Sequence, residues 1–138
     1  TGDSFCVVDC GSAITLDVVD RQGVHLGGFI MPGVQLLRES LRRSTARLSG
    51  HYSFDRSPLP GKSTGECISR GISLLLSGID HWLLQWLDGS SEEEKRRVFL
   101  TGGDATDIGA LLSCNCDVRP GLVLDGLLIQ AEKDSGVN

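Results

Sequence analysis

SFCVVDCGSAITLDVVD, residues 4–20, reads as two strands joined by a tight turn, and this reading decides the fold. Ser4 to Cys10 is a short apolar run closed by Gly11, the pattern of a buried strand. Ala13 to Asp20 alternates, with Ile14, Leu16 and Val18 on one face and Thr15, Asp17 and Val19 on the other, a period of two. Arg21-Gln22-Gly23 turns the chain into a third strand, VHLGGFIM at 24–31. Three consecutive strands with short turns make an antiparallel meander.

Downstream the period changes. Pro32 is expected to open a helix, where its missing N–H is harmless. Val34, Leu37, Leu41 and Leu48 form its apolar stripe, and Arg38, Glu39, Arg42, Arg43 and Arg47 occupy the remainder. Residues 49–61, rich in Pro and Gly, read as a loop. From Ser63 to Leu87 a long helix is predicted, with Ile68, Ile72, Leu75, Leu76, Ile79, Leu83 and Trp86 at three- and four-residue steps. Gly71 and Gly78 on it are expected to permit close helix packing. Glu92 to Arg97 reads as a solvated charge run and Val98 to Leu100 as a fourth strand. A helix near 105–112, a short strand at Asp117-Val118 and a last helix from Pro120 to about Glu132 complete the chain. A meander followed by helix crossovers and two further strands, with helices on both faces, is similar to the ribonuclease-H-like half of the actin, sugar-kinase and chaperone superfamily. The expectation is one α/β, actin-like domain over residues 1–138.

Composition narrows the function. The chain has 138 residues, enough for one core and hardly for two. Apolar residues make up 40% and charged residues 22%, a globular balance. A net charge of −5 offers no basic field to nucleic acid or to an anionic membrane surface. Phosphate binding remains open, because it uses local backbone N–H groups rather than net charge. The five cysteines, Cys6, Cys10, Cys67, Cys114 and Cys116, are odd in number and show no framework spacing, so they read as reduced cytosolic thiols. Cys114-x-Cys116 lacks the two further nearby ligands that a zinc site needs, and His25, His51 and His81 are scattered. No apolar stretch approaches the ~20 residues of a membrane span. Thr1-Gly2-Asp3 leads straight into a strand without a signal peptide, and the chain is expected to begin inside a larger protein.

Four segments could carry chemistry. At the first hairpin, Gly11 lets a tight turn present N–H groups, Ser12 and Thr15 add hydroxyls, and Asp9 is placed to hold Mg²⁺ against a phosphate. At 101–104, Gly102 and Gly103 allow backbone to approach a flat ligand, with Asp104 as an N-cap or a ribose or Mg²⁺ partner. Gly27 and Gly28, within GGFIMPG at 27–33, mark close approach by a ligand or by another backbone. Gly61-Lys62-Ser63-Thr64 has the ending of a P-loop, but its required first glycine falls at Arg56 and no strand precedes it. Ser63 or Thr64 is instead expected to cap the long helix, with Glu66 in its first turn. Each segment alone reads equally as an ordinary turn, cap or packing site.

Taken together and in order, VVDCGSAITLDVVD at 7–20, GVHLGGFIMPG at 23–33, GKSTGE at 61–66, RG at 70–71, FLTGGDA at 99–105 and RPGLVLDGL at 119–127 resemble the C-terminal domain of type III pantothenate kinase. The resemblance implies ATP-dependent phosphorylation of pantothenate, the first step of coenzyme A synthesis, in a cytoplasmic homodimer using Mg²⁺ and a monovalent cation, K⁺ or NH₄⁺. It implies that Asp9, Gly11, Ser12 and Thr15 form the second phosphate motif, with Asp9 on the metal, and that Gly102, Gly103 and Asp104 form the adenosine motif. It places Thr64 against pantothenate in the neighbouring subunit, with Gly27 and Gly28 on the substrate side. Ser12 stands where the family usually has Thr, and keeps the hydroxyl.

The family's first phosphate hairpin and its Gly-x-Asp-Arg segment, which carries the general base, do not occur in residues 1–138. The chain therefore reads as the C-terminal half of a two-domain kinase, with no catalytic base of its own and no expected activity alone. Two alternatives remain: a non-catalytic accessory factor for transcription, a role also described for this family, and an actin-like kinase for another small substrate. The acidic balance argues against direct DNA contact.

Overall fold

Period-two alternation produces the meander it predicts. In the computed structural model, which describes residues 2–44, 55, 57 and 59–136, strands β1 (Ser4–Cys10), β2 (Ala13–Val19) and β3 (His25–Pro32) pair antiparallel in sequence. β4 (Arg96–Thr101) joins β1 in parallel, Asp9 opposite Thr101, and β5 (Asp117–Val118) pairs in parallel with β4. The sheet order is β3-β2-β1-β4-β5, with β2 alone reversed, which is the ribonuclease-H-like arrangement.

Each strand divides its residues between two faces. Cys6, Val8, Cys10, Ile14, Leu16, Val18, Val98 and Leu100 are buried on one. α2 (Thr64–Asp88) covers them with Ile72, Leu76, Ile79 and Leu83, and α3 (Ala105–Leu111) adds Ile108. The 72/76/79/83 spacing is one helical stripe, so the sequence dictates which side of α2 meets the sheet. Phe29 of β3 meets Trp82 edge to face, and Trp82 stacks on Trp86. On the opposite face Phe5, Val7, Asp9, Thr15, Asp17 and Phe99 are half-buried. Thr101 donates its hydroxyl to the Pro120 carbonyl at 3.4 Å, which brings the start of α4 (Leu122–Asp134) to that side.

Several boundaries differ from the sequence reading for identifiable reasons. Pro32 ends β3 rather than opening a helix; Gly33 donates to Ser12, and α1 runs over Val34–Ser44. Val34 is buried and Leu37 half-buried, whereas Leu41 is 41% exposed; Leu48 and Arg47 lie outside the described residues. β4 begins two residues before Val98: Arg96 is half-buried over the Trp86 ring and so leaves the expected solvated run, whereas Arg97 stays exposed, lying over Phe99 and pairing with Asp117 at 2.7 Å. Pro120 sits in the turn before α4, which opens at Leu122. On α2, Leu75 is 64% exposed, off the buried stripe. Gly71 and Gly78 face open space, so among the described residues no helix packs closely on them. Among the described residues no helix is long and apolar enough to cross a membrane.

Candidate functional site

β1 and β4 are parallel neighbours, so their C-terminal ends deliver two loops to the same edge of the sheet, the position where α/β sheets hold ligands. From β1 comes the Gly11-Ser12 turn; from β4 comes Gly102-Gly103-Asp104. The loops are in direct contact. The Asp104 N–H donates to the Cys10 carbonyl at 3.0 Å. Gly102 adopts φ +92°, and a Cβ there would lie 2.5 Å from an Asp9 carboxylate oxygen and 2.6 Å from the Cys10 carbonyl carbon and oxygen. Only glycine provides both the left-handed backbone and the missing atom. Gly103 is exposed with open space beside it.

The other side of the turn is closed by Gly33. Its N–H donates to the Ser12 carbonyl at 3.0 Å, and a Cβ on it would overlap the carbonyl oxygens of Gly11 and Ser12. Sequence reasoning gave the helix start to Pro32 and close approach to Gly27 and Gly28, and missed this role of Gly33; the adjacent Pro32-Gly33 pair was the local signal. Within the turn the Gly11 N–H donates to Ala13 at 3.0 Å, and the exposed Ser12 leaves its side chain at the surface.

Asp9 and Thr15 face each other across the β1–β2 pair on the half-buried face. Thr15 donates to Asp17 at 3.2 Å, and Asp17 contacts Nε2 of His25 at 2.9 Å, so a polar track runs from the hairpin toward β3. Cys10, beside Asp9 in sequence, faces the core. Burial pushes its thiol up to about 12, and the Asp9 and Asp104 carboxylates push in the same direction.

Asp104 stands at the N-cap position of α3, yet its carboxylate makes no capping bond. The ordinary reading of Asp104 as a side-chain cap is therefore not realised. Ser63 does cap α2, accepting from the Glu66 N–H at 3.3 Å, so this helix start is a cap and not a phosphate loop. Thr64, exposed on the first turn of α2, belongs with the loop at 59–63. Gly28 lies opposite Asp17 with a Cβ position that would overlap the Leu16 carbonyl, so close approach of backbone accounts for it. Gly27 takes φ +126° beside the register shift at Val18/Val19.

Asp9, Gly11, Ser12, Thr15, Gly102, Gly103 and Asp104 are thus brought to one edge of the sheet; Gly27, Gly28 and Thr64 lie on other elements. The donor set suits Mg²⁺ with a nucleotide: a half-buried carboxylate at Asp9, hydroxyls at Ser12 and Thr15, and an exposed Gly103 with open space beside it.

Residues 1–81 match the family model for type III pantothenate kinase. A type III pantothenate kinase of Marinobacter nauticus is 40% identical over 129 residues, covering 90% of this chain and 50% of that protein. The corresponding protein of Hahella chejuensis is 40% identical over 131 residues, covering 94% of this chain and 51% of that protein. The chain spans about half the length of the curated relatives it matches. Among solved structures, a conserved Baf family protein from Campylobacter jejuni superimposes with a TM-score of 0.68 at 25% identity, covering 98% of this chain and 60% of that one.

Proposed function

The chain belongs to the type III pantothenate kinase family, and from that premise we propose that it is the C-terminal half of an enzyme transferring the γ-phosphate of ATP to pantothenate. The observation that carries the proposal is the seating of the Gly102-Asp104 loop on the Asp9-Gly11 hairpin, which sets a carboxylate, hydroxyls and Cβ-free backbone at one sheet edge. The hairpin holds one flank of the phosphates, and the Gly102-Gly103 loop lies against adenosine. Asp9 would hold Mg²⁺, which would supply positive charge against the phosphates. The product is 4′-phosphopantothenate, the first intermediate on the way to coenzyme A, and the compartment is the cytoplasm.

The base that takes the pantothenate hydroxyl proton belongs to the other half of the enzyme. Uncovered apolar surface supports such a half. α4 has no buried residue, and Leu124, Leu127, Leu128 and Ile129 are each more than half exposed. Thr64 reaches the pantothenate of the neighbouring subunit in a homodimer.

The test is transfer of label from γ-labelled ATP to pantothenate by the complete protein. Label in 4′-phosphopantothenate is the expected result. ATP binding without transfer to pantothenate, under saturating Mg²⁺ and K⁺, would overturn the assignment.

A further inference from the structure

We propose that Arg70 is a positioning residue for pantothenate recognition, acting through the segment 59–63 that delivers Thr64. The inference rests on the reading of Thr64 as a substrate contact, and otherwise on geometry. Arg70 is one helical turn and a half beyond Thr64 on α2, and its guanidinium turns back over the segment leading into the helix. Nε donates to the Asp55 carboxylate at 2.7 Å, and Nη1 donates to the carbonyls of Leu59 and Pro60 at 3.0 and 2.9 Å. Glu66, one turn before Arg70, lies 3.9 Å from Nη2 and accepts the Lys62 N–H at 2.8 Å.

Every residue from 59 to 63 is consequently tied to the first turns of α2. Leu59 and Pro60 are held by Arg70. Gly61 is pressed so closely on the Glu66–Cys67 backbone that a Cβ would overlap it, and its carbonyl accepts from the Cys67 thiol at 3.3 Å. Lys62 is held by Glu66, and Ser63 caps the helix. Thr64 follows at once. The polar clamp is larger than capping requires, since Ser63 already satisfies the helix N-terminus. A planar guanidinium with a fixed fork is the group that can hold a carboxylate and two carbonyls at once; an ammonium is a point charge without that fork. Asp55 completes the clamp. Its own N–H donates to the Ser73 hydroxyl at 3.3 Å, so the carboxylate is itself fixed to α2.

The experiment uses the complete enzyme with Arg70→Lys, Arg70→Met and Asp55→Asn, each alone and combined with Thr64→Ala. Pantothenate KM is expected to rise about tenfold or more in Arg70→Lys and Arg70→Met, because small misplacements of a substrate contact are costly. ATP KM is expected to stay within about twofold, and Asp55→Asn to give the same pattern more weakly. In the Thr64→Ala background the Arg70 substitutions should add little further to pantothenate KM, since the contact they position is already gone. If Arg70→Met fails to fold, Arg70→Lys and Asp55→Asn carry the same comparison. Equal effects on both substrates, or effects fully multiplicative with Thr64→Ala, would reduce Arg70 to a structural clamp and overturn the proposal. A wild-type enzyme that does not phosphorylate pantothenate would instead overturn the assigned function, which separates the two failures.

Discussion

Gly102 occupies the space beside Asp9: with φ +92°, its absent Cβ would stand 2.5 Å from the Asp9 carboxylate. The β4–α3 loop and the β1–β2 hairpin therefore pack as one unit, joined by the Asp104 N–H donating to the Cys10 carbonyl at 3.0 Å, and a residue ninety-three positions away leaves the carboxylate its space.

Gly102→Ala should disrupt this unit, and Gly103→Ala should not. A left-handed backbone costs an ordinary residue about 1–2 kcal/mol, and overlap with the Cys10 carbonyl adds about 1–3 kcal/mol. Gly103 has nothing within 4 Å of its Cβ position and no left-handed φ. Thermal unfolding of the two variants, with titration of a non-hydrolysable ATP analogue, measures the contrast. A large loss of analogue binding is expected for Gly102→Ala only.

Cysteine chemistry should follow burial. Cys67 is exposed, Cys116 half-buried, and Cys6, Cys10 and Cys114 buried. A disulfide reagent near neutral pH should modify Cys67 rapidly and all five cysteines only after denaturation. Burial pushes Cys6 and Cys10 up from 9.0 to about 12 and Cys114 to about 11. The folded state thus holds these protons more tightly than the unfolded state. The associated stability is complete below pH 9 and is lost as pH rises toward 11–12. Unfolding midpoints measured from pH 8 upward should fall through that window; a flat profile would contradict the burial of these thiols.

The outward side of α2 should be a dimer contact. Leu74 and Leu75 are 74% and 64% exposed, and Gly71 and Gly78 beside them have open space. Small residues flanked by leucines let a second helix approach closely, which would answer the expectation of glycine-mediated packing that no helix among the described residues fulfils. Leu84 is 38% exposed and adds to the surface, whereas Leu87 packs on the core and is not spare. Sedimentation at micromolar concentration should show a dimer that Leu74→Glu with Leu75→Glu converts to a monomer of unchanged helicity. A wild-type monomer of the complete protein would remove this surface from the account.

What could be read in the sequence was local. The meander was legible because Ile14, Leu16 and Val18 repeat at a period of two, and the Ser63 cap because Glu66 follows at capping distance. Gly33 was not legible as part of the site, since its reason is the Ser12 carbonyl across the hairpin. The partners of Arg96 and Arg97, which are Trp86, Phe99 and Asp117, were not legible either, because packing and sheet pairing set them rather than neighbouring sequence. The cluster of site residues was expected from resemblance; what no pattern in the chain contained was the Asp104–Cys10 hydrogen bond and the Cβ-free fit of Gly102 beside Asp9 that join the two loops.

The isolated chain should bind ATP weakly and show no measurable pantothenate kinase activity. It carries the Asp9 hairpin and the Gly102-Asp104 loop, which on the proposed roles would hold one flank of the phosphates and the adenosine. Phosphoryl transfer is accelerated by positioning and charge stabilisation from both sides of the transferred group. Absence of a positioned general base alone typically lowers the rate by about 10²–10⁴. Loss of the opposing phosphate hairpin adds several kcal/mol, each ~1.4 kcal/mol being tenfold. Label transfer from ATP should therefore be detectable only with the complete protein. In that protein Asp9→Asn keeps the shape of the hairpin but removes the charge proposed to hold Mg²⁺. Most turnover should be lost, with little change in unfolding midpoint. Ordinary enzymatic turnover by residues 1–138 alone would show that the cleft needs only one side, and would overturn the roles given to Asp9 and to the missing base together.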